Sequence, residues 1–272
     1  TQGFKDALTE ALGDKVQFVE QNAANDIPTC ATIVNGFVSD GVDLILANAT
    51  PALQAAVAAT DSIPILGTAV TEYGVALDIK DFNGTVGGNV SGTSDLAPLD
   101  QQAAMILELF PDAKKVGILY CSAEPNSVYQ SDVVKAELEK SGITVSVYTF
   151  ADSNDVAAVT ATACDENDVL YIPTDNTAAS CTEAINNVAE PAGVPIIAGE
   201  EGICAGCGVA TLSINYYDLG VTTGKMAAKI LTGEANISEM PIEYFPDPVK
   251  KYNPAICEAL GITVPEDYVA IG

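Results

Sequence analysis

The sequence predicts an α/β protein of two lobes with mainly parallel sheets, joined by three crossover segments, and three observations lead there. Short runs rich in Val, Ile and Leu alternate with segments of helical spacing and composition, the pattern of repeated βαβ units whose sheets are covered on both faces. The units fall into two sets, one before GGNVSGTSD (87–95) and one after it, each ample for a lobe. With 272 residues, 48% of them apolar, the chain can fill a substantial core.

In chain order, TQGFKDALTEALGDK opens as an amphipathic helix. The runs VQFV (16–19), VDLILA (42–47), IPILGTA (63–69), VGILYC (116–121), VSVYTF (145–150), DVLYIPT (168–174), PIIAG (195–199) and VATLSI (209–214) read as strands. Pro51 starts a helix after Thr50, another ends at Pro111, a third closes on Gly142, Ser153 is an N-cap candidate, and YYDLGVTTGKMAAKILTG stops at Gly233. The chain is expected to cross between lobes at GGNVSGTSD, at SINYYD (213–218) and in PIEYFPDPVKKYNP (241–254), whose prolines resist regular structure. This divides it into 1–93 plus 216–240 and 94–215 plus 241–272. Three crossings suit a hinged clamp around a ligand cleft, moving near Ser94, Asn215 and the 241–254 stretch.

Composition removes whole classes of function. There are 37 acidic residues against 11 basic ones, all lysines, for a net charge of −26, with no arginine, histidine or tryptophan. Such a surface repels nucleic acid and anionic lipid. Without histidine, Ser-His-Asp and Cys-His catalysis and histidine-held zinc are excluded, so neither catalytic residues nor metal ligands nor a cofactor are assigned. Apolar runs stay short of the about 18 residues that a membrane-spanning helix needs. Of seven cysteines only Cys204 and Cys207 form a CxxC, in the glycine-flanked GICAGCGV, which reads either as small packing thiols or as a local disulfide.

In open parallel sheets ligands bind outside the carboxyl ends of the strands, beside helix N-termini. In the first half those ends carry Asn48 and Thr50, then Thr68, Thr71, Glu72 and Tyr73; in the second half they carry Asn126 and Ser127, then Thr174, Asp175, Asn176 and Thr177, then Glu200 and Glu201. Hydroxyls and backbone donors from the first half could hold a carboxylate, and Asp175 and Glu200 an ammonium group, so a zwitterion fits both. For any one of these residues an ordinary helix cap is the competing reading. In YIPTDNTAAS the expectation is that Asp175 meets the amine, Thr174 and Asn176 orient it, and Thr177 caps the next helix. The glycine-rich GTVGGNVSG (84–92) and LGVTTGKM fail the dinucleotide and P-loop patterns and read as turns or packing.

NATPALQAA, LGTAVT, GGNVSGTSDL, FPDAKKVGILYCSAEPNS, YIPTDNTAAS and ATLSINYYDLG together resemble the substrate-binding proteins of ABC importers in the tryptophan/tyrosine/phenylalanine-type family, from about residue 15 onward. The resemblance implies a type I periplasmic-binding-protein fold of two Rossmann-like lobes without catalysis, and an aromatic amino acid or related molecule in an interlobe cleft. Its implied ligand positions are Thr50, Thr68, Ala69, Val70, Thr71, Ser94, Asn126, Ser127, Thr174, Asp175, Asn176, Glu200 and Asn215. It further implies a monomer that serves a membrane permease from a periplasmic or lipid-anchored position, and a first strand ahead of the opening helix. A ligand-sensing domain of a regulator or receptor is the alternative on the same fold.

Overall fold

The computed structural model describes residues 1–24, 26–245 and 247–272. The chain forms α1 (Gln2–Leu12), α2 (Ile27–Asp40), β1 (Ile45–Asn48), α3 (Thr50–Ala59), β2 (Ile65–Val70), α4 (Tyr73–Ala76) and β3 (Val90–Ser94). Then come α5 (Leu99–Leu109), β4 (Lys115–Cys121), α6 (Pro125–Lys140), β5 (Thr144–Phe150), α7 (Val156–Glu166), β6 (Val169–Ile172), α8 (Asn176–Ser180), α9 (Thr182–Ala192), β7 (Ile196–Ala198), α10 (Glu201–Cys207) and β8 (Ala210–Ser213). It closes with α11 (Tyr216–Leu231), β9 (Glu243–Tyr244), β10 (Val249–Tyr252), α12 (Pro254–Leu260) and β11 (Val269–Ala270). Among the described residues no helix is long and apolar enough to cross a membrane.

Two compact units result, Thr1–Leu96 with Asn215–Pro246, and Ala97–Ile214 with Asp247–Gly272. The sequence reading grouped 241–245 with the second lobe; in the structure Glu243 and Tyr244 pair with Thr93 and Ser94, which ties that segment to unit 1. The expected third crossing includes Pro246, which lies outside the described residues, and its prolines do not exclude regular structure. Pro248 precedes β10, and Pro254 occupies the first helical position of α12, where its missing N–H costs nothing.

Unit 1 holds a parallel sheet in the order β1-β2-β3-β9. Successive residues of β2 face opposite layers: Ile65 joins Leu53, Tyr73 and Val90 on one side, while Leu66 joins Phe4, Leu8 and Met226 on the other. Helices α1 and α11 approach closely because Gly3, Gly220 and Gly224 leave room; a Cβ on Gly3 would stand 2.1 Å from the Tyr217 carbonyl oxygen. LGVTTGKM is therefore helix-packing surface. VQFV is not a strand: Val16 and Phe18 turn inward against the α1 and α11 cluster, yet no strand among the described residues pairs with this run.

The opposite correction applies at 84–92, which is a turn only as far as its glycines at 84, 87 and 88. Val90–Ser94 is a fully buried central strand. Gly92 sits at φ 149°, and a Cβ there would meet the Gly67 carbonyl oxygen at 2.1 Å and the Tyr73 hydroxyl at 2.4 Å. Small residues are required because β2, β3 and the Tyr73 ring crowd together, and the same residues read as a turn in sequence.

Unit 2 holds the larger sheet, β11-β10-β8-β7-β6-β4-β5, parallel except where β10 runs against β8. Leu119, Phe150, Leu170, Ile172, Ile196, Ile203 and Cys204 fill one core layer. All seven cysteines are free thiols, so Cys204 and Cys207 serve as packing groups rather than as a bridge; burial pushes the Cys207 thiol up to about 12. The cap of α7 also differs from expectation, since Asp155 rather than Ser153 precedes the helix.

Candidate ligand-binding strand ends

At the carboxyl ends of β4 and β6 in unit 2, the expected residues converge, with their roles redistributed. Asp175 is the N-cap of α8: its Oδ1 accepts from Ala178 N at 2.7 Å, and its Oδ2 accepts from Cys121 N at 2.8 Å and Ser127 Oγ at 2.7 Å. At 1% exposure the carboxylate is enclosed by protein donors, so it serves the helix, the role foreseen for Thr177. Thr177 instead gives its N–H and hydroxyl to Glu124 Oε1, each at 2.8 Å.

Glu124 organises this end and was missed from sequence. Its Oε2 takes Asn176 N at 2.9 Å and Asn176 Nδ2 at 2.7 Å, so one buried carboxylate holds two successive residues of the loop. The signal available was an acid directly before a proline-started helix, indistinguishable from a surface acid in so acidic a chain. Burial first, and then the Glu124 charge, push the Asp175 carboxyl up to about 6.

Thr174 is fixed on every side. Its N–H donates to Gln130 Oε1 at 3.0 Å, its carbonyl accepts from Asn126 Nδ2 at 2.9 Å and Gln130 Nε2 at 3.1 Å, and its hydroxyl donates to Gly199 O at 3.3 Å. Asn126 is thereby oriented with its amide nitrogen inward. Its buried Oδ1 has no partner among the described residues, which leaves an acceptor for an incoming donor. Glu200 caps α10, accepting from Gly202 N at 2.6 Å and from Ile203 N.

In unit 1 the predicted hydroxyls are mostly built into the sheet. Thr68 and Thr93 Oγ1 stand 3.2 Å apart, and Thr223 Oγ1 lies 2.8 Å from Thr93 and 3.1 Å from Thr68, a buried triangle that ties α11 to β2 and β3. Ser94 Oγ donates to Thr71 O at 2.7 Å and accepts from Leu96 N at 3.1 Å. Thr50 and Val70 are buried, and Asn215 is an exposed cap of α11, accepting from Tyr217 N and Asp218 N. Ala49 and Ala69, at the ends of β1 and β2, hold φ of 78° and 52°, left-handed conformations that alanine rarely adopts; the β2–β3 register shifts between Gly67 and Val70.

One further group in unit 1 escaped the sequence reading. Asp95 follows Ser94 at the end of β3, is 4% exposed, and its Oδ2 accepts from the Tyr216 hydroxyl at 3.1 Å. Among the described residues its Oδ1 has no hydrogen-bond partner, and no group of side chains suited to a metal ion occurs.

Comparison with known proteins shows what the chain as a whole is similar to. A sequence profile described as "ABC transporter substrate binding protein" matches residues 1–271. A tyrosine-binding protein of Clostridioides difficile is 38% identical over 89% of this chain and 68% of its own length. The structure of an ABC domain in complex with L-Trp from Streptococcus pneumoniae superposes with a TM-score of 0.91 at 34% identity, covering 97% of this chain and 90% of that one. The ligand-free, open structure of a substrate-binding protein with adhesive properties from Clostridium difficile gives 0.74 at 36% identity, covering 99% and 94%. A leucine-binding protein from Thermotoga maritima, at 15% identity and TM-score 0.62 over 87% of this chain and 78% of that one, shares the fold.

Proposed function

Since the chain belongs to the family of ABC transporter substrate-binding proteins, we propose that its ligand is an aromatic amino acid, tyrosine or tryptophan, captured outside the cytoplasm and delivered unchanged to the importer's membrane permease. The observation that carries this reading is the continuous likeness, over most of the chain, to one relative named for tyrosine and to another holding L-Trp. The fold shared with those structures has parallel strands ending beside helix starts, the position at which open α/β sheets generally receive ligands.

The chemistry of those ends supports the reading. Thr174, Asn126 and Ser127 form a locked polar wall in unit 2, in which Asn126 Oδ1 waits for a donor. We take the ligand-facing set to be drawn from Thr50, Ala69, Thr71, Asn126, Thr174 and Asn176, and the protein to act as a monomer.

A thermal-denaturation screen over the twenty amino acids tests the proposal. Tyrosine or tryptophan at ~100 times its dissociation constant should add roughly 2.7 kcal/mol of stability. A screen in which only aliphatic or acidic amino acids shift the transition would replace the aromatic reading, and chemical alteration of the ligand on incubation would replace the binding reading with an enzymatic one.

A further inference from the structure

We propose that Asp95, rather than Asp175, is the residue that receives the ligand's ammonium group, an assignment that rests on the amino-acid reading above. The contrast between the two acids carries it. Asp175 has three protein donors on its carboxylate. Asp95 accepts from the Tyr216 hydroxyl through Oδ2, with the Thr71 hydroxyl and its own backbone N–H nearby, while its Oδ1 has no partner within hydrogen-bond geometry among the described residues. Four buried side-chain polar atoms lack a partner among the described residues, and Asp95 Oδ1 is the one that belongs to an acid.

A carboxylate that is 4% exposed and half-satisfied is costly to bury, and such a group persists where something arrives to complete it. The ion pairs formed among the described residues involve other acids, so no lysine of this chain is assigned to Asp95. An ammonium group supplies what is missing: opposite charge and N–H donors, one of them for Oδ1. Burial raises the Asp95 pKa, while the hydroxyls of Tyr216 and Thr71 and its own backbone N–H favour the carboxylate form that an ammonium would meet. Asp95 also stands at the carboxyl end of a parallel strand, next to the strand end bearing left-handed Ala69, the position at which open α/β sheets receive ligands.

Selectivity for amines follows. A ligand lacking the amine would leave Oδ1 as an unpaired buried acceptor, and sites built around a hydrogen bond discriminate strongly against analogues that cannot make it.

Titration calorimetry decides the matter with L-tyrosine and L-tryptophan and their amine-free counterparts, 3-(4-hydroxyphenyl)propanoate and indole-3-propanoate. Wild-type protein should bind its amino acid at least ~100-fold more tightly than the amine-free compound. Asp95→Asn and Asp95→Ser should each lose at least ~10-fold for the amino acid while binding the amine-free compound as well as wild type does. Equal wild-type affinity for the two compounds overturns the assignment without any variant, and so does a folded variant that keeps the full discrimination. Failure of wild-type protein to bind either amino acid overturns the aromatic-ligand reading and this assignment with it, whereas binding without discrimination overturns the assignment alone.

Discussion

The two units bury acids at their strand ends in opposite ways. In unit 2, Glu124 and Asp175 lie close enough for one to raise the other's pKa, yet every carboxylate oxygen accepts from a backbone or side-chain donor. In unit 1, Asp95 stands without an acidic partner of comparable burial and with one oxygen unmet among the described residues. The lesson is that burial of a charge does not mark a binding residue. A saturated acid is scaffold, holding the 174–177 loop in place, whereas an acid left half-satisfied is the one with chemistry to spare.

The contrast breaks first if Glu124 proves dispensable. Glu124→Ala strips two backbone N–H groups and two side-chain donors in the 176–177 loop of their acceptor and should cost roughly 3–5 kcal/mol in chemical denaturation. A loss under about 1 kcal/mol would put Glu124 on the same footing as an unintegrated acid. Asp175→Asn turns an amide nitrogen toward donors and should cost about 1–3 kcal/mol, with the affinity of the folded protein little changed.

A pH series sharpens the same point. Burial first, and then the Glu124 charge, push the Asp175 carboxyl up to about 6 from the ordinary 3.8, so its contribution to stability is full below the lower value and is lost as pH rises through the upper one. Wild-type stability relative to Asp175→Asn should therefore decline as pH is raised from about 4 to about 7, and a flat difference would contradict the shared burial of the pair. The smallest effect belongs to Ala69→Gly: glycine adopts φ 52° freely, so relief of strain set against added unfolded-state freedom leaves a gain of at most ~1 kcal/mol.

How far the sequence carried can be judged residue by residue. The runs at 42–47, 63–69, 116–121, 168–174, 195–199 and 209–214 became strands largely buried on both faces, so hydrophobicity alone marks them, while 145–150 is an edge strand that leaves Val147 exposed. VQFV has the same composition and the inward alternation of Val16 and Phe18, but a strand is defined by its neighbour, and that information is tertiary. Val90–Ser94 failed the other way, since close approach of Gly67, Gly92 and Tyr73 demanded the small residues that normally signal a turn.

At these strand ends the sequence placed the polar residues but not the hydrogen bonds among them. TDNT does stand at the end of β6, and Asn126 and Ser127 do meet it, but whether a carboxylate caps its own helix or faces outward is settled by distances of a few ångströms. Glu124 and Asp95 went unnoticed for one reason: with 37 acids in the chain, no single acid is informative until its burial is known.

The most direct measurement is the ligand-induced shift in thermal denaturation, with L-tyrosine and with L-tryptophan, of Asp95→Asn beside Asp175→Asn. The account predicts that Asp95→Asn melts at or above the wild-type temperature without ligand and shows little shift with it, while Asp175→Asn melts lower and keeps the full shift. The reverse assortment, a full shift in Asp95→Asn and none in a folded Asp175→Asn, would contradict the account.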